Sequence, residues 1–216
     1  MKLSAFQQSL IAFVVFITGM LVCRFFYVGN LDFIFLLWNL FLAWIPYQLS
    51  LGFSAKSEHQ QWRLWVLLAC WLLFFPNALY ITTDLIHLNI KRAVPLWYDL
   101  VLIFTAAITG LMMAFASLIR VEIFLKTKFT KKMTGIIVIA CLFLGSFGVY
   151  LGRFLRVNSW DVLTNPISLY RAIAIQFLYP VIHFRTWAIT ILLTCFFSLL
   201  YFAIKKSAIN HIHHSS

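Results

Sequence analysis

Charged residues are scarce in this sequence. Only 23 of its 216 residues are Asp, Glu, Lys or Arg, and only six of those are acids. By contrast, 63% of the residues are hydrophobic, including 23 Phe and 8 Trp. A soluble domain of this length could not cover so much apolar material with polar surface. The composition therefore excludes a soluble domain and predicts an integral membrane protein.

The sequence also lacks the short motifs that mark common soluble enzymes. It contains no P-loop, GxGxxG, HExxH or GxSxG pattern, so phosphate-loop, dinucleotide, zincin and hydrolase-elbow interpretations have no support. The cysteines show no CxxC pair and no metal-type spacing. They lie within or at the ends of apolar runs, and we expect buried thiols at Cys23, Cys70, Cys141 and Cys195.

Long apolar runs are abundant. About 20 residues of helix cross a hydrocarbon core roughly 30 Å thick, and runs suited to this occur near 5–27, 32–53, 63–83, 97–119, 134–152 and 187–204. The prediction is an all-α, polytopic transmembrane helix bundle of about six spans in a single domain, residues 1–204. Residues 205–216 are predicted to form a cytoplasmic basic tail, whose HIHH sequence is expected to be disordered rather than a metal site.

One further apolar stretch, residues 162–186, is interrupted. It contains two prolines, Pro166 and Pro180, and two arginines, Arg171 and Arg185. We therefore predict an interfacial or re-entrant helix packed on the bundle, with a seventh span as the alternative.

The basic residues predict the orientation. With six spans, the connections on the side of the termini hold ten basic residues and those on the other side hold seven, so both termini and the segment RVEIFLKTKFTKK are predicted to be cytoplasmic. The formal net charge of +11 fits an anionic lipid surface, because the basic residues flank spans. Membrane lipids are the expected partners, and no nucleic acid is expected.

Polar residues cluster at the end of the third run, in FFPNALYITTDLIHLNIKR. If residues 77–87 are helical, one face about three turns long carries Asn77, Tyr80, Asp84 and His87. Asp84 and His87 could coordinate a metal, act as a base with its orienting acid, or simply hydrogen-bond at the interface. The stripe favours a site, with interfacial solvation as the alternative.

The fourth run begins with Trp97, Tyr98 and Asp99. Aromatic anchors and an acid in a first helical turn are ordinary structural features, so Asp99 taken alone is expected to be structural. The six-span topology nevertheless places it at the same membrane level as Asp84, across a short turn. Tyr98 and Asp99 are therefore included as candidate site residues.

The third polar segment, LGRFLRVNSWDVLTNP, follows the fifth run. Arg153 and Arg156 lie one turn apart and can grip a phosphate or carboxylate, while Asp161 could balance them or serve as an acid or base. Asn158 and Trp160 lie between them and are candidate substrate-binding residues. Snorkelling of the two arginines to phospholipid headgroups is the alternative.

Together, AWIPY, FFPNALYITTDLIHL, PLWYDLVLIF and LGRFLRVNSWDVLTNP resemble a family of small bacterial integral-membrane proteins known as domain of unknown function 1361. The similarity runs from about residue 35 to residue 200. It implies a polytopic protein of the bacterial plasma membrane and brings no established activity. Family members often have a proline at the position of Leu79 and a tryptophan at that of Val157, and these departures leave the polar set intact.

Three of the six acids, Asp84, Asp99 and Asp161, are predicted at the outer face, which is the strongest sign of function. A first hypothesis is an enzyme acting on lipid-linked phosphate or headgroups. In it, His87 is base or nucleophile oriented by Asp84, the arginines hold phosphate, and Asp99 and Asp161 bind a divalent cation or handle a second proton. An ion-coupled transporter using Asp84, His87 and Asp99 is the second hypothesis. A non-catalytic membrane scaffold is the third.

Overall fold

The computed structural model describes residues 4–53, 61–88 and 94–214, with the backbone alone at residues 61 and 208–214. This part of the chain forms eight α-helices, one 3₁₀ helix and no strand. The elements are α1 Ala5–Val28, α2 Phe35–Ser50, α3 Gln61–Tyr80, the 3₁₀ helix Ile81–His87, α4 Leu96–Lys126, α5 Lys131–Phe154, α6 Asp161–Thr164, α7 Pro166–Leu178 and α8 Phe184–His214. The predicted all-α helix bundle is confirmed.

Five helical segments in the described residues are long and apolar enough to cross a membrane. They are Ala5–Val28, Trp62–His87, Leu96–Lys126, Lys131–Phe154 and Phe184–Ser207, which makes the chain a multi-pass membrane protein. The second predicted span, 32–53, contains only the 16 residues of α2, because turns occupy 32–34 and 51–52. That helix extends about 24 Å, which is shorter than the hydrocarbon core, so α2 is not among the five segments of spanning length in the described residues.

The chain divides into two compact units, residues 1–120 and 121–216. In the first unit α2 packs along α3, and α3 approaches α4 closely at Gly110. A Cβ at Gly110 would lie only 2.9 Å from the carbonyl oxygen of Ala78. The Trp71 indole Nε1 donates to Ser117 Oγ at 3.2 Å. A small residue and an interhelical hydrogen bond thus join α3 to α4, as is common between membrane helices.

In the second unit α5 packs along α8, and α7 is attached to this pair. Phe147 of α5 stacks on Trp187 of α8 with ring centroids 5.8 Å apart, and Phe177 of α7 meets Trp187 edge-on at 4.9 Å. The Thr186 hydroxyl donates to the side-chain oxygen of Gln176 at 2.6 Å. Both aromatic and polar contacts therefore hold α7 in place.

The interrupted stretch 162–186 does not form a further span. Most of it is α7, in which Pro166 occupies the first turn, where its missing N–H is tolerated. The 13 residues of α7 extend about 20 Å, which is too short for the hydrocarbon core. Ile167 and Tyr170 are exposed, as expected for a helix whose apolar side chains face lipid.

Two predicted segments are more helical than expected. α4 continues to Lys126, so the first part of RVEIFLKTKFTKK is helix and only 127–130 form the turn. Arg120, predicted in a loop, lies over the Tyr47 ring at 4.6 Å and donates to Ser50 Oγ at 3.2 Å. The backbone of α8 also runs on through HIHH to His214, where disorder was expected.

The burial of the cysteines differs from the prediction. Cys141 is buried, whereas Cys23, Cys70 and Cys195 lie exposed on helix surfaces. An apolar run places a residue in a spanning helix, but the face of that helix decides whether the residue meets protein or lipid. The prediction of buried thiols is therefore wrong for three of the four.

Candidate functional site

The 3₁₀ helix Ile81–His87 places Asp84 and His87 on one face. Side chains three residues apart eclipse each other in a 3₁₀ helix. The burial follows this period, with Ile81 and Asp84 fully buried and His87 partly buried. The predicted stripe is therefore α-helical only to Tyr80, and the shared face of Asp84 and His87 arises from a different helix type.

Local side-chain chemistry accounts for this change of helix type. The hydroxyls of Thr82 and Thr83 donate to the carbonyl oxygens of Leu79 and Tyr80 at 2.7 and 2.6 Å. Hydroxyls bound in this way compete with the backbone ladder. The switch occurs five residues after Pro76, which lies inside α3. Asn77 and Tyr80 lie in the intervening α-helical turn, both partly buried.

Helix α2 supplies a polar and an aromatic partner to this face. Asn39 Nδ2 donates to Asp84 Oδ2 at 2.8 Å, and the Phe35 ring meets the His87 ring edge-on at 5.1 Å. Asn39 was missed in the sequence, although a lone amide inside the apolar run LLWNLFL is a signal, because a polar group in a membrane helix needs a partner.

Asp99 belongs to a cluster that we call the arginine centre, formed by buried Arg24 and Asp99 and by exposed Asn30 and Asp32. Arg24 Nε donates to Asp99 Oδ1 at 3.0 Å, and both side chains are 3% exposed. Another guanidinium nitrogen donates to Asn30 Oδ1 at 2.9 Å, and a third lies 3.7 Å from Asp32 Oδ2. The Phe33 ring lies beneath the guanidinium at 4.6 Å.

The arginine centre connects α1 to α4. Its neighbour Tyr98 strengthens the same contact, because its hydroxyl donates to the Met20 carbonyl oxygen at 2.7 Å. The Asp99 carboxylate is buried against a guanidinium rather than open to a substrate. The structural interpretation of Asp99 is therefore the one that the geometry favours, with Tyr98 in the same role.

Two aromatic rings link the arginine centre to the 3₁₀ helix. Phe33 and Phe35 have ring centroids 5.9 Å apart. Phe33 contacts the guanidinium of Arg24 and Phe35 contacts His87. His87 of the third run and Asp99 of the fourth run thus belong to one connected region of the first unit.

The third polar segment lies in the second unit, and its acid has a local role. Asp161 Oδ2 accepts the backbone N–H of Asn158 at 2.6 Å, and Oδ1 accepts the Thr164 hydroxyl at 3.3 Å. These hydrogen bonds stabilise the turn that leads into α6, and Asp side chains commonly accept such bonds in turns. Trp160 is exposed in the same turn.

The two arginines of this segment differ in backbone conformation. Arg153 lies in the last turn of α5 and is partly buried. Arg156 follows the helix with φ of +55° and an exposed side chain. A non-glycine residue in the left-handed region costs on the order of 1 kcal/mol or more, and such positions concentrate at functional sites.

No cluster suited to a metal ion is present in the described part of the chain, where no three His, Cys, Asp or Glu side chains come together. The Asp84 and His87 pair is the candidate that combines a carboxylate with an imidazole on one face. A cation there would need ligands from the substrate or from water.

Comparison with known proteins gives one match. A family model covers residues 38–200, which is most of the chain and contains every site residue that was predicted from the sequence. The family is described as a protein of unknown function. No curated protein and no solved structure matches the chain.

Proposed function

The chain belongs to the family described as protein of unknown function DUF1361, and from its own residues we propose a membrane enzyme that acts on lipid headgroups or lipid-linked phosphate. The observation that carries this proposal is the arrangement around Asp84. The carboxylate is fully buried, fixed by Asn39, and placed one 3₁₀ turn before the partly exposed His87.

This arrangement suits general base catalysis. A neutral imidazole can accept a proton at physiological pH, and a fixed carboxylate nearby stabilises the imidazolium that forms. In the proposed step His87 takes the proton of an attacking hydroxyl as its oxygen bonds to phosphorus. The ester P–O bond then breaks, and the imidazolium returns the proton to the leaving oxygen. Asp84 is the positioning residue.

The position of His87 in the chain favours a lipid substrate. His87 is the last residue of the candidate span Trp62–His87, and the end of a span lies near the headgroups. A substrate anchored in the bilayer would present its phosphate at that depth. Arg153 and Arg156 are proposed to bind an anion within the second unit, and the left-handed backbone of Arg156 supports a use for its side chain.

The test is lipid turnover by purified protein in nanodiscs. The discs contain phosphatidylglycerol, phosphatidylethanolamine and a polyprenyl phosphate, and mass spectrometry follows the headgroups. His87→Gln should lower turnover at least about 100-fold, the usual contribution of a general base. His183→Gln, a partly buried histidine of the second unit, is the matched control and should retain turnover. Undiminished conversion by His87→Gln would remove His87 from the mechanism.

An ion-coupled transporter is the second candidate, favoured by the interruption of the third span. The α-helix gives way to 3₁₀ helix beside the buried Asp84, and transporters often bind ions where a spanning helix is broken. Ion uptake by proteoliposomes that depends on Asp84, without any lipid conversion, would favour this function. A scaffold would instead lose stability in the His87 and Asp84 variants, with no separable chemical defect.

We further propose the bacterial plasma membrane as the location, with both termini cytoplasmic. Six spans require α2 to cross as a short span, its turns at 32–34 and 51–52 lying at the two interfaces. The lysines near the end of α4 and the start of α5 support a cytoplasmic position for that turn. Reporter domains fused to the two termini should be active on the same side, and opposite sides would reject the six-span topology.

A further inference from the structure

Glu122 is the one buried acid of the second unit's described residues, and no sequence pattern had marked it. It lies in the last turns of α4 and is 5% exposed. A carboxylate removed from water needs charged and hydrogen-bonded partners, or it costs several kcal/mol. The segment RVEIFLKTKFTKK was predicted as a connection between spans, but Glu122 lies in a helix because α4 continues to Lys126.

Three donors surround the Glu122 carboxylate. The Tyr201 hydroxyl donates to Oε2 at 2.5 Å, the Lys126 ammonium lies 2.9 Å from Oε1, and the Lys205 ammonium donates to that same oxygen. We call this set the glutamate centre. Because the two ammonium groups share one oxygen, they are neighbours although they come from different helices.

The two lysines retain unused binding capacity. An ammonium carries three N–H donors, and among the described residues each lysine has one hydrogen bond or ion pair, which is to Glu122. Their side chains are not enclosed, since Lys126 is 45% and Lys205 is 26% exposed. The lysines and Glu122 together carry a net charge of +1. The centre therefore presents two fixed ammonium groups to an anion.

The glutamate centre lies where spans end. Lys126 is the last residue of α4, and Lys205 lies two residues before the end of the candidate span Phe184–Ser207. The rings of Tyr201 and Phe202 flank Lys205, at 5.8 and 5.9 Å from its ammonium nitrogen. Span ends with Tyr and Lys are at headgroup depth. Further exposed lysines of the same unit are Lys128, Lys131, Lys132 and Lys206.

From this geometry we propose that the glutamate centre is a binding site for the phosphate of an anionic phospholipid headgroup. Glu122 fixes the ammonium groups of Lys126 and Lys205 at one point, and the lipid phosphate accepts their remaining N–H donors. The acid is thus a positioning residue for two cations. The site uses none of the residues of the proposed enzymatic function, so the two proposals succeed or fail independently.

The variant Glu122→Gln tests the proposal, because attraction by net charge alone and positioning by Glu122 predict opposite changes in lipid binding. Glu122→Gln raises the net charge by one, so a merely basic surface would bind anionic lipid more tightly. If Glu122 positions the lysines, the same substitution lowers binding. The measurement is native mass spectrometry of detergent-purified protein titrated with phosphatidylglycerol, with zwitterionic phosphatidylcholine as the reference lipid.

A pair of double variants with equal charge provides the second comparison. Lys126→Gln with Lys205→Gln should lower the affinity for phosphatidylglycerol by about 25-fold, at roughly fivefold per lysine, and abolish the preference over phosphatidylcholine. Lys128→Gln with Lys132→Gln removes the same charge from lysines outside the centre and should leave the preference in place. If Glu122→Gln fails to fold, the comparison of the two double variants still tests whether Lys126 and Lys205 form the lipid site.

Three results would overturn the proposal. Tighter binding by folded Glu122→Gln would show that net charge alone attracts the lipid, and so would equal losses in the two double variants. Displacement of phosphatidylglycerol by an equal concentration of inorganic phosphate would show that free phosphate is the occupant. Folding of each variant is checked by size-exclusion chromatography and thermal unfolding.

Discussion

The arginine centre and the glutamate centre are built as opposites. In the first unit a buried cation, Arg24, is surrounded by two acids and an amide. In the second unit a buried anion, Glu122, is surrounded by two lysines and a tyrosine. Each centre joins helices distant in sequence, α1 to α4 in one case and α4 to α8 in the other.

The difference lies in which charge reaches the surface. The charged group that the arginine centre exposes is an acid, Asp32, at 48%, whereas the charged groups that the glutamate centre exposes are the ammonium groups of two lysines. Because a buried ion is paired with groups of opposite charge, its own sign determines the sign of the charge exposed around it. The glutamate centre is the one suited to an anionic headgroup, and the arginine centre is suited to holding helices.

The largest expected effect comes from removing the buried cation. Arg24→Ala leaves Asp99 buried without its cation and should lower the free energy of unfolding by about 3–5 kcal/mol, measured by thermal or denaturant unfolding in detergent. Asp32→Asn, at the exposed end of the same centre, should cost less than about 1 kcal/mol. Similar losses in both variants would mean that the exposed contact with Asp32 contributes as much to stability as the buried cation does.

Tyr201→Phe should have the next largest effect. It keeps the buried ring and removes one donor to a charged acceptor, which typically costs about 1.5–3 kcal/mol. Tyr170→Phe, at an exposed tyrosine of α7, is the matched control and should stay within about 0.5 kcal/mol of the parent protein. An equal, negligible change in both would indicate that the lysines alone satisfy Glu122.

Lys126→Gln should have the smallest effect on stability. At 45% exposure its ion pair contributes less than about 1 kcal/mol, and the unfolding midpoint should move little. Binding of phosphatidylglycerol should nevertheless weaken. A large loss of stability would place Lys126 with Arg24 as a structural ion, and the contrast between the two centres would then be incomplete.

The apolar runs of the sequence predicted the helices well, because an unbroken apolar stretch has few stable alternatives in a membrane. Lengths were less predictable. The run 32–53 shortens to α2 because turns occupy both of its ends, and the run 97–119 lengthens because a helix continues through charged residues when they are paired, as Glu122 and Lys126 are at i and i+4.

The candidate site was predicted in part. The spacing of Asp84 and His87 correctly indicated a shared face, although the helix type differs. Their partners in α2 were not predictable, since Asn39 is 45 residues from Asp84 and only packing sets which helix faces which. The same holds for Arg24 and Asp99, which are 75 residues apart.

One signal could have found the buried ions. Arg24 lies four residues before the end of the helix at Val28, so it is a charge inside a spanning segment rather than at its flank. Such a charge requires a partner, and six acids offer few choices. Glu122 is harder to recognise, because the lysines around it make its segment resemble an ordinary basic loop.

The arginine and glutamate centres also bear on where a self-sufficient piece of this protein could begin and end. The family match covers residues 38–200, which includes Asp99 and Glu122 but excludes Arg24, Tyr201 and Lys205. A recombinant fragment cut at those limits would bury two carboxylates after discarding the cation of one and two of the three donors of the other. The sequence matched by the family model is therefore shorter than the sequence needed to supply the partners of these buried carboxylates.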